Sequence, residues 1–203
     1  RDGEPLEIEE YALNPDGTVD ETGLRTAAQF NAKGGPSKLT GYFPSGEYTV
    51  TELNERGQKV RERFFAADGD SVPTREGAYG FEYEYWKDGR PAMRTALGAD
   101  GKPMSLRGLG RLMYLYDDVN HCKQTVCVDD RREPVDSATG FSRRLEWFDA
   151  DGRVIRLEFR NKLGNLVVNA ALGYAGATAQ YDGDGRKVED AFYGADGKPV
   201  RDV

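Results

Sequence analysis

The sequence predicts an all-β fold: tandem β-hairpin repeats, six units of about 32 residues, forming an antiparallel meander or hairpin solenoid. Three observations carry this. A ladder of turn glycines runs Gly3, Gly34, Gly69, Gly101, then Arg132 in place of glycine, then Gly164 and Gly197. A second ladder follows about 20 residues behind it, at Gly23, Gly57, Gly89, Asn120, Gly152 and Gly185. Between the ladders, apolar residues alternate as they do on a half-buried strand, most clearly in Val154-Ile155-Arg156-Leu157-Glu158-Phe159.

The repeats follow in order. In the first, Val19 precedes Gly23, and Leu24–Phe30 has helical propensity but occupies a strand slot, so it reads as strand. The second carries Leu53, Val60 and Phe64 around Gly57. The third and fourth are aromatic: Phe81, Tyr83 and Tyr85 before Gly89, then Leu112, Tyr114 and Tyr116 before Asn120. The fifth holds Phe148 and Phe159, the sixth Tyr181 and Phe192. With one strand on each side of each turn, about twelve strands are expected. Asn tolerates a left-handed backbone better than other non-glycine residues, so Asn120 is expected at φ > 0 with the glycines of its column. The expected core is Phe30, Phe64, Phe159 and Phe192, with Leu53, Tyr85, Tyr116, Phe148 and Tyr181.

Composition narrows the function. The 203 residues include 28 Lys+Arg and 35 Asp+Glu, a formal net charge of −7, which argues against a nucleic-acid binder. A hydrophobic share of 38% and an aromatic share of 11% exceed what a disordered chain carries. No apolar run approaches the roughly 18 residues of a membrane helix. The chain starts at Arg1, and Arg1-Asp2-Gly3-Glu4-Pro5 has the repeat phase of Ala195-Asp196-Gly197-Lys198-Pro199. The expectation is a single array, residues 1–203, excised from a longer protein.

Tyr181-Asp182-Gly183-Asp184-Gly185-Arg186 and Phe148-Asp149-Ala150-Asp151-Gly152-Arg153 show the consensus best. It resembles the tyrosine–aspartate repeats of bacterial Rhs-type surface and toxin-shell proteins. It is also similar to variant MORN repeats and, more distantly, to choline-binding hairpins. The resemblance implies an extracytoplasmic scaffold, binding module or shell, at the cell surface, secreted or periplasmic. The Trp-rich pattern of choline-binding hairpins is absent, so no choline site is carried over.

Candidate chemistry is sparse. His121 is the sole histidine, in a slot held elsewhere by Arg90, Arg153 and Arg186, and reads as an exposed turn residue rather than a catalytic base. Cys122 and Cys127 lack metal-ligand spacing. Five strand residues span about 16 Å, too far for a bridge that needs Cα atoms within ~7 Å. Strand parity puts Cys127 inward and Cys122 outward. The acid pairs Asp68/Asp70, Asp149/Asp151 and Asp182/Asp184 read as turn chemistry rather than calcium loops. No cofactor or metal is expected.

The informative irregularity is aromatic. Where the third and fourth repeats have Tyr83 and Tyr114, the fifth and sixth have Glu146 and Ala179, so the scaffold does not demand tyrosine there. Phe81, Tyr83, Tyr85, Tyr114 and Tyr116 are the candidate ligand-binding residues, a platform for a protein or carbohydrate partner; a thicker core is the competing explanation. The expected function is a non-catalytic binding or structural module of a bacterial extracytoplasmic protein, without membrane insertion. The alternative is a hydrolase with carboxylates placed across the sheet.

Overall fold

The computed structural model describes residues 7–13, 19–106 and 109–200. Among them every regular element is a strand. They are β1 (Glu7–Leu13), β2 (Val19–Phe30), β3 (Pro36–Tyr42), β4 (Tyr48–Leu53), β5 (Lys59–Phe65), β6 (Gly80–Tyr85) and β7 (Pro91–Leu97), followed by β8 (Arg111–Asp117), β9 (Cys122–Cys127), β10 (Arg143–Phe148), β11 (Val154–Arg160), β12 (Gly176–Tyr181), β13 (Lys187–Tyr193) and β14 (Pro199–Val200). Strand order in the sheet follows chain order, an antiparallel meander. By contact, the chain forms two compact units: Arg1–Glu84 with Arg94–Leu106, and Tyr85–Met93 with Arg107–Val203.

The first unit packs around Ala78, Phe81 and Ala96, covered by Phe64, Tyr83, Met104 and Leu106. Phe64 meets Phe81 edge-on at 6.3 Å. The second unit has one cluster of Met93, Val126 and Val128 against Met113 and Leu115. It also has a chain of rings: Phe141–Phe159 at 5.0 Å, Phe159–Tyr174 at 6.1 Å and Tyr174–Phe192 at 4.8 Å. Such pairs add ~0.5–1.5 kcal/mol each beyond the area they bury. Of the expected core column, Phe159 is buried, while Phe30, Phe64 and Phe192 are half-buried, as are Leu53, Tyr85, Tyr116, Phe148 and Tyr181. The reason is geometric: rings spaced along hairpins cover one another edge to edge and leave their outer rims in solvent.

The turns explain the glycine columns and correct two expectations. In the fifth repeat, Asp149 donates its N–H to Arg153 O at 3.0 Å, and Gly152 N–H donates to Asp149 O at 3.1 Å. The ladder shifts by one residue between Trp147 and Phe148. This is a three-residue hairpin loop ending in a bulged left-handed residue, and Gly152 fills it at φ 79°. Asp149 Oδ1 accepts the N–H groups of Asp151 and Arg153 at 3.0 and 2.9 Å. Asp182 repeats this with Asp184 and Arg186, and Asp68 accepts from Asp70. The paired acids therefore build turns.

Asn120 does not occupy the left-handed position. The β8–β9 ladder keeps its register to Asp117↔Cys122, leaving a four-residue loop whose last residue, His121, takes φ 48°. Asn120 instead binds Asp117, through its N–H at 3.0 Å and its side-chain amide at 2.7 Å. Gly23 lies within β2, in a stretch where the β1–β2 register breaks between Asp20 and Leu24, rather than in a turn. Gly3 and the first residues of the chain lie outside the described residues.

A third turn column went unread. Gly46, Gly77, Gly140 and Gly173 all have φ between 80° and 93°. From Gly34 to Gly46 there is room for the full strand β3. In later repeats the interval is shorter, and the strand shrinks to a single bridge: Phe65↔Ser71, Leu97↔Pro103, Val128↔Pro134 and Arg160↔Leu166. Proline lacks a ladder N–H, and an isolated bridge tolerates it where a central strand would not. The extra turn column helps account for fourteen strands among the described residues where about twelve were expected.

Both cysteines are free thiols, and both are buried: Cys122 at 8% exposure and Cys127 at 0%. Parity does separate their faces, but Cys122 does not reach solvent. It stands between Asp117 of β8 and Trp147 of β10 in the ladders, and both faces of β9 are covered. Burial pushes the Cys127 thiol up to about 11.

Candidate functional site

The sequence-derived site residues fall in different compact units and are taken in turn. In the first unit, Phe81 is a core residue, with the Arg94 guanidinium 4.6 Å from its ring centroid. It supports the site rather than facing a ligand. Tyr83 is half-buried. Its hydroxyl donates to Glu62 Oε2 at 3.3 Å, and Lys59 Nζ lies 5.9 Å from its ring centre. Tyr83 also lines a shallow pocket of about 300 Å³ with Glu52, Arg61, Glu82, Glu84 and Thr95.

In the second unit, Tyr85, Tyr114 and Tyr116 are half-buried. Burial raises the hydroxyl pKa of Tyr85 and Tyr116 above the usual value. Lys123 Nζ sits 5.1 Å over the Tyr114 ring and the Arg90 guanidinium 4.4 Å over Tyr116. Arg90 is fixed from both sides. Its Nε donates to Asp88 Oδ2 at 2.7 Å, and its two terminal nitrogens donate to Asp118 at 2.6 and 3.1 Å. The Arg90 N–H and side chain hold the Asp88 carboxyl below the usual carboxylate range, and the two acids raise the Arg90 pKa. This clamp, one guanidinium between two carboxylates, leaves a charged rim on an aromatic wall.

Trp86 completes the arrangement. The residue is 42% exposed, yet its Nε1 donates to the Tyr114 carbonyl at 3.0 Å, which sets the ring orientation. Trp86, Lys87, Asp88, Arg90, Leu115 and Tyr116 line an open groove of about 510 Å³. A ring face, a guanidinium and carboxylates held before any ligand arrives reduce the ordering cost of binding.

Sequence reasoning missed Trp86, although a signal was present. Three residues before the turn glycine or its equivalent stand Asn54, Asp117, Asp149 and Asp182; in the third repeat Trp86 takes that place. Asn54, Asp149 and Asp182 accept backbone N–H groups of their own turns. Trp86 cannot, and Asp88 takes over by accepting the Arg90 N–H at 3.0 Å. The third repeat thus gives up a turn-stabilising side chain and shows an indole to solvent.

His121 is exposed at the end of its loop, as a turn residue would be. Among the described residues no group of three or more His, Cys, Asp or Glu side chains is placed to hold a metal ion, and no helix is long and apolar enough to cross a membrane.

The fold and groove define an all-β hairpin-repeat chain with an aromatic surface. No family model and no curated protein matches the sequence. Among solved structures, a chain of the TcdB2-TccC3-Cdc42 crystal structure is similar over 93% of this chain and 9% of its own length, at 13% identity and a TM-score of 0.46. A chain of TcdB2-TccC3-TEV is similar over 91% of this chain and 11% of its own, at 11% identity and a TM-score of 0.30. The present chain spans about a tenth of the length of either.

Proposed function

We propose that this chain is a non-catalytic binding or structural repeat module of a bacterial extracytoplasmic protein, and that it engages a protein or carbohydrate partner through its aromatic hairpins. The observation that carries this is Trp86: an exposed, hydrogen-bonded indole where sister hairpins place Asp or Asn, beside Tyr116 and a clamped Arg90. A flat apolar face flanked by fixed donors and acceptors suits the hydroxyl-rich faces of sugars and the mixed surfaces of proteins. Tyr83 and Tyr114 extend the same character, one in each compact unit. The carboxylates beside the groove, Asp88 and Asp118, are both hydrogen-bonded to Arg90, which favours orientation over the proton transfer a hydrolase needs.

The test is a glycan array and a cross-linking screen, each run with wild type, Trp86→Ala and Tyr116→Ala. Retention on either platform that falls at least ~10-fold in both variants supports the reading. Retention that survives both substitutions, or glycan cleavage without retention, overturns it.

A further inference from the structure

We infer that β12 carries a second receptor, a trough shaped for a phenol ring presented by a tyrosine of a partner protein. The inference goes beyond the Trp86 groove and does not depend on it.

The ladders give the alignment of repeats directly. β5 and β6 pair as Arg61↔Glu82, Glu62↔Phe81 and Arg63↔Gly80; β11 and β12 pair as Arg156↔Thr178, Leu157↔Ala177 and Glu158↔Gly176. The two registers are the same, so Ala177 stands where Phe81 does and Ala179 where Tyr83 does. The β8–β9 and β12–β13 ladders agree: Leu112↔Cys127 corresponds to Ala177↔Phe192, and Tyr114↔Thr125 to Ala179↔Asp190. Twice in this chain the Ala179 position holds a tyrosine ring, and in the sixth repeat it holds a methyl group.

The space the missing ring leaves is there. A trough of about 350 Å³ opens over Ala177 and Ala179, walled by Leu157, Tyr174, Tyr181 and Phe192. The neighbouring strands are hydrogen-bonded in fixed register on both sides, so they do not close over it.

The rim has the charges a phenol calls for. Lys59 lies over Tyr83 and Lys123 over Tyr114; at the trough Lys187 is a lining residue, paired with Asp190. The Tyr83 hydroxyl finds a carboxylate, Glu62; Asp190 offers one directly across the ladder from Ala179. An ammonium for the ring face and a carboxylate for the O–H, on an apolar floor, complement a tyrosine side chain. The trough is open to solvent, which suits a ring carried on a partner's surface.

The experiment is methyl NMR on protein labelled at Ala and Leu, titrated with p-cresol, cyclohexanol, and the peptides Gly-Gly-Tyr-Gly-Gly and Gly-Gly-Ala-Gly-Gly. p-Cresol and the tyrosine peptide should shift the Ala177 and Ala179 methyls with dissociation constants of roughly 1–10 mM, the affinity an isolated ring commands. Cyclohexanol should bind about 3-fold more weakly, lacking a π face. Ala179→Tyr should fold, because the sister repeats hold that side chain in the same register, and should abolish the Ala177 shift. Ala177→Leu, which copies Leu112, decides the matter in the same way if Ala179→Tyr does not fold. The inference is overturned if p-cresol leaves both methyls unmoved, if a filled variant binds as wild type does, or if p-cresol binds while the tyrosine peptide does not. The Trp86 indole resonance reports the other groove separately, so failure at one site is not read as failure at both.

Discussion

Replacing Phe159 by Ala tests the packing of the second compact unit most directly. Phe159 is 2% exposed and sits between Phe141 and Tyr174, with ring centroids 5.0 and 6.1 Å away. A buried aromatic removes about 150–250 Å² from water, which at ~25 cal/mol per Å² amounts to roughly 4–6 kcal/mol for the whole side chain. Alanine keeps its own methyl share, while the lost ring pairs and the cavity left behind add to the cost, so the expected loss is about 3–5 kcal/mol. Urea unfolding followed by Trp fluorescence reads it out, because Trp147 lies on β10, which pairs with β11. Phe192→Ala is the internal control, since Phe192 is half-buried and should lose less. A loss for Phe159→Ala below about 1 kcal/mol at unchanged m value would refute the ring chain as the core of this unit.

Other outcomes follow from particular residues. Glu158 is 2% exposed and held by Arg160 and Arg156; burial alone raises its pKa, but the hydrogen bonds and charges of the two arginines outweigh that and bring it below the ordinary 4.5. Its folded pKa is thus the lower one, so its stabilisation is complete above about pH 4.5 and is lost as pH falls through the folded value. Glu158→Gln should be less stable than wild type at pH 7 in thermal melts, with the gap closing on acidification; a gap that is constant with pH would refute this. Gly152→Ala and Gly176→Ala should separate two kinds of glycine. At Gly152 a Cβ meets nothing within 4 Å and costs only its left-handed φ, about 1 kcal/mol. At Gly176 it lands 2.3 Å from the Tyr193 ring, and the loss should be clearly larger; equal losses would disprove the assigned packing of Tyr193 over Gly176. Native-state labelling with a maleimide at pH 8 should be slow at both cysteines and slowest at Cys127, as mass spectrometry of the modified peptides would show. Rapid modification of Cys122 would place it on an open face.

The turn columns were legible because a left-handed residue leaves a mark that composition cannot hide: Gly57, Gly89, Gly152 and Gly185 were all found by spacing. Arg132, at φ 66°, shows that the backbone demand persists where the glycine has been lost. Asn120 misled because loop length is not written in residue type. A four-residue loop moves the left-handed position one place on, and only the register with Cys122 reveals it. The Gly46, Gly77, Gly140 and Gly173 column escaped because the strands it bounds shrink to single bridges, too short to alternate. Parity placed the cysteines on opposite faces but carried no information on coverage, and β9 is covered on both. At the candidate site, the tyrosines were legible as departures from the repeat. Trp86 was equally irregular, and its meaning emerged only when the turn bonds made by Asn54, Asp149 and Asp182 showed what it had displaced.

The four-residue loop from Asp118 to His121 has a consequence for how such a chain finds its structure. Every ladder joins strands adjacent in sequence, so folding proceeds by short closures and should be rapid for an all-β protein. The hazard of such an array is slippage: one hairpin looks much like the next, and a strand that skips a repeat still finds glycines and aromatics near the right places. A loop one residue longer than those at Gly89 and Gly152, joined to strands without a bulge, does not fit a slipped partner. Set in the middle of the chain, this loop is expected to act as a registration mark that disfavours slipped pairing of the repeats on either side.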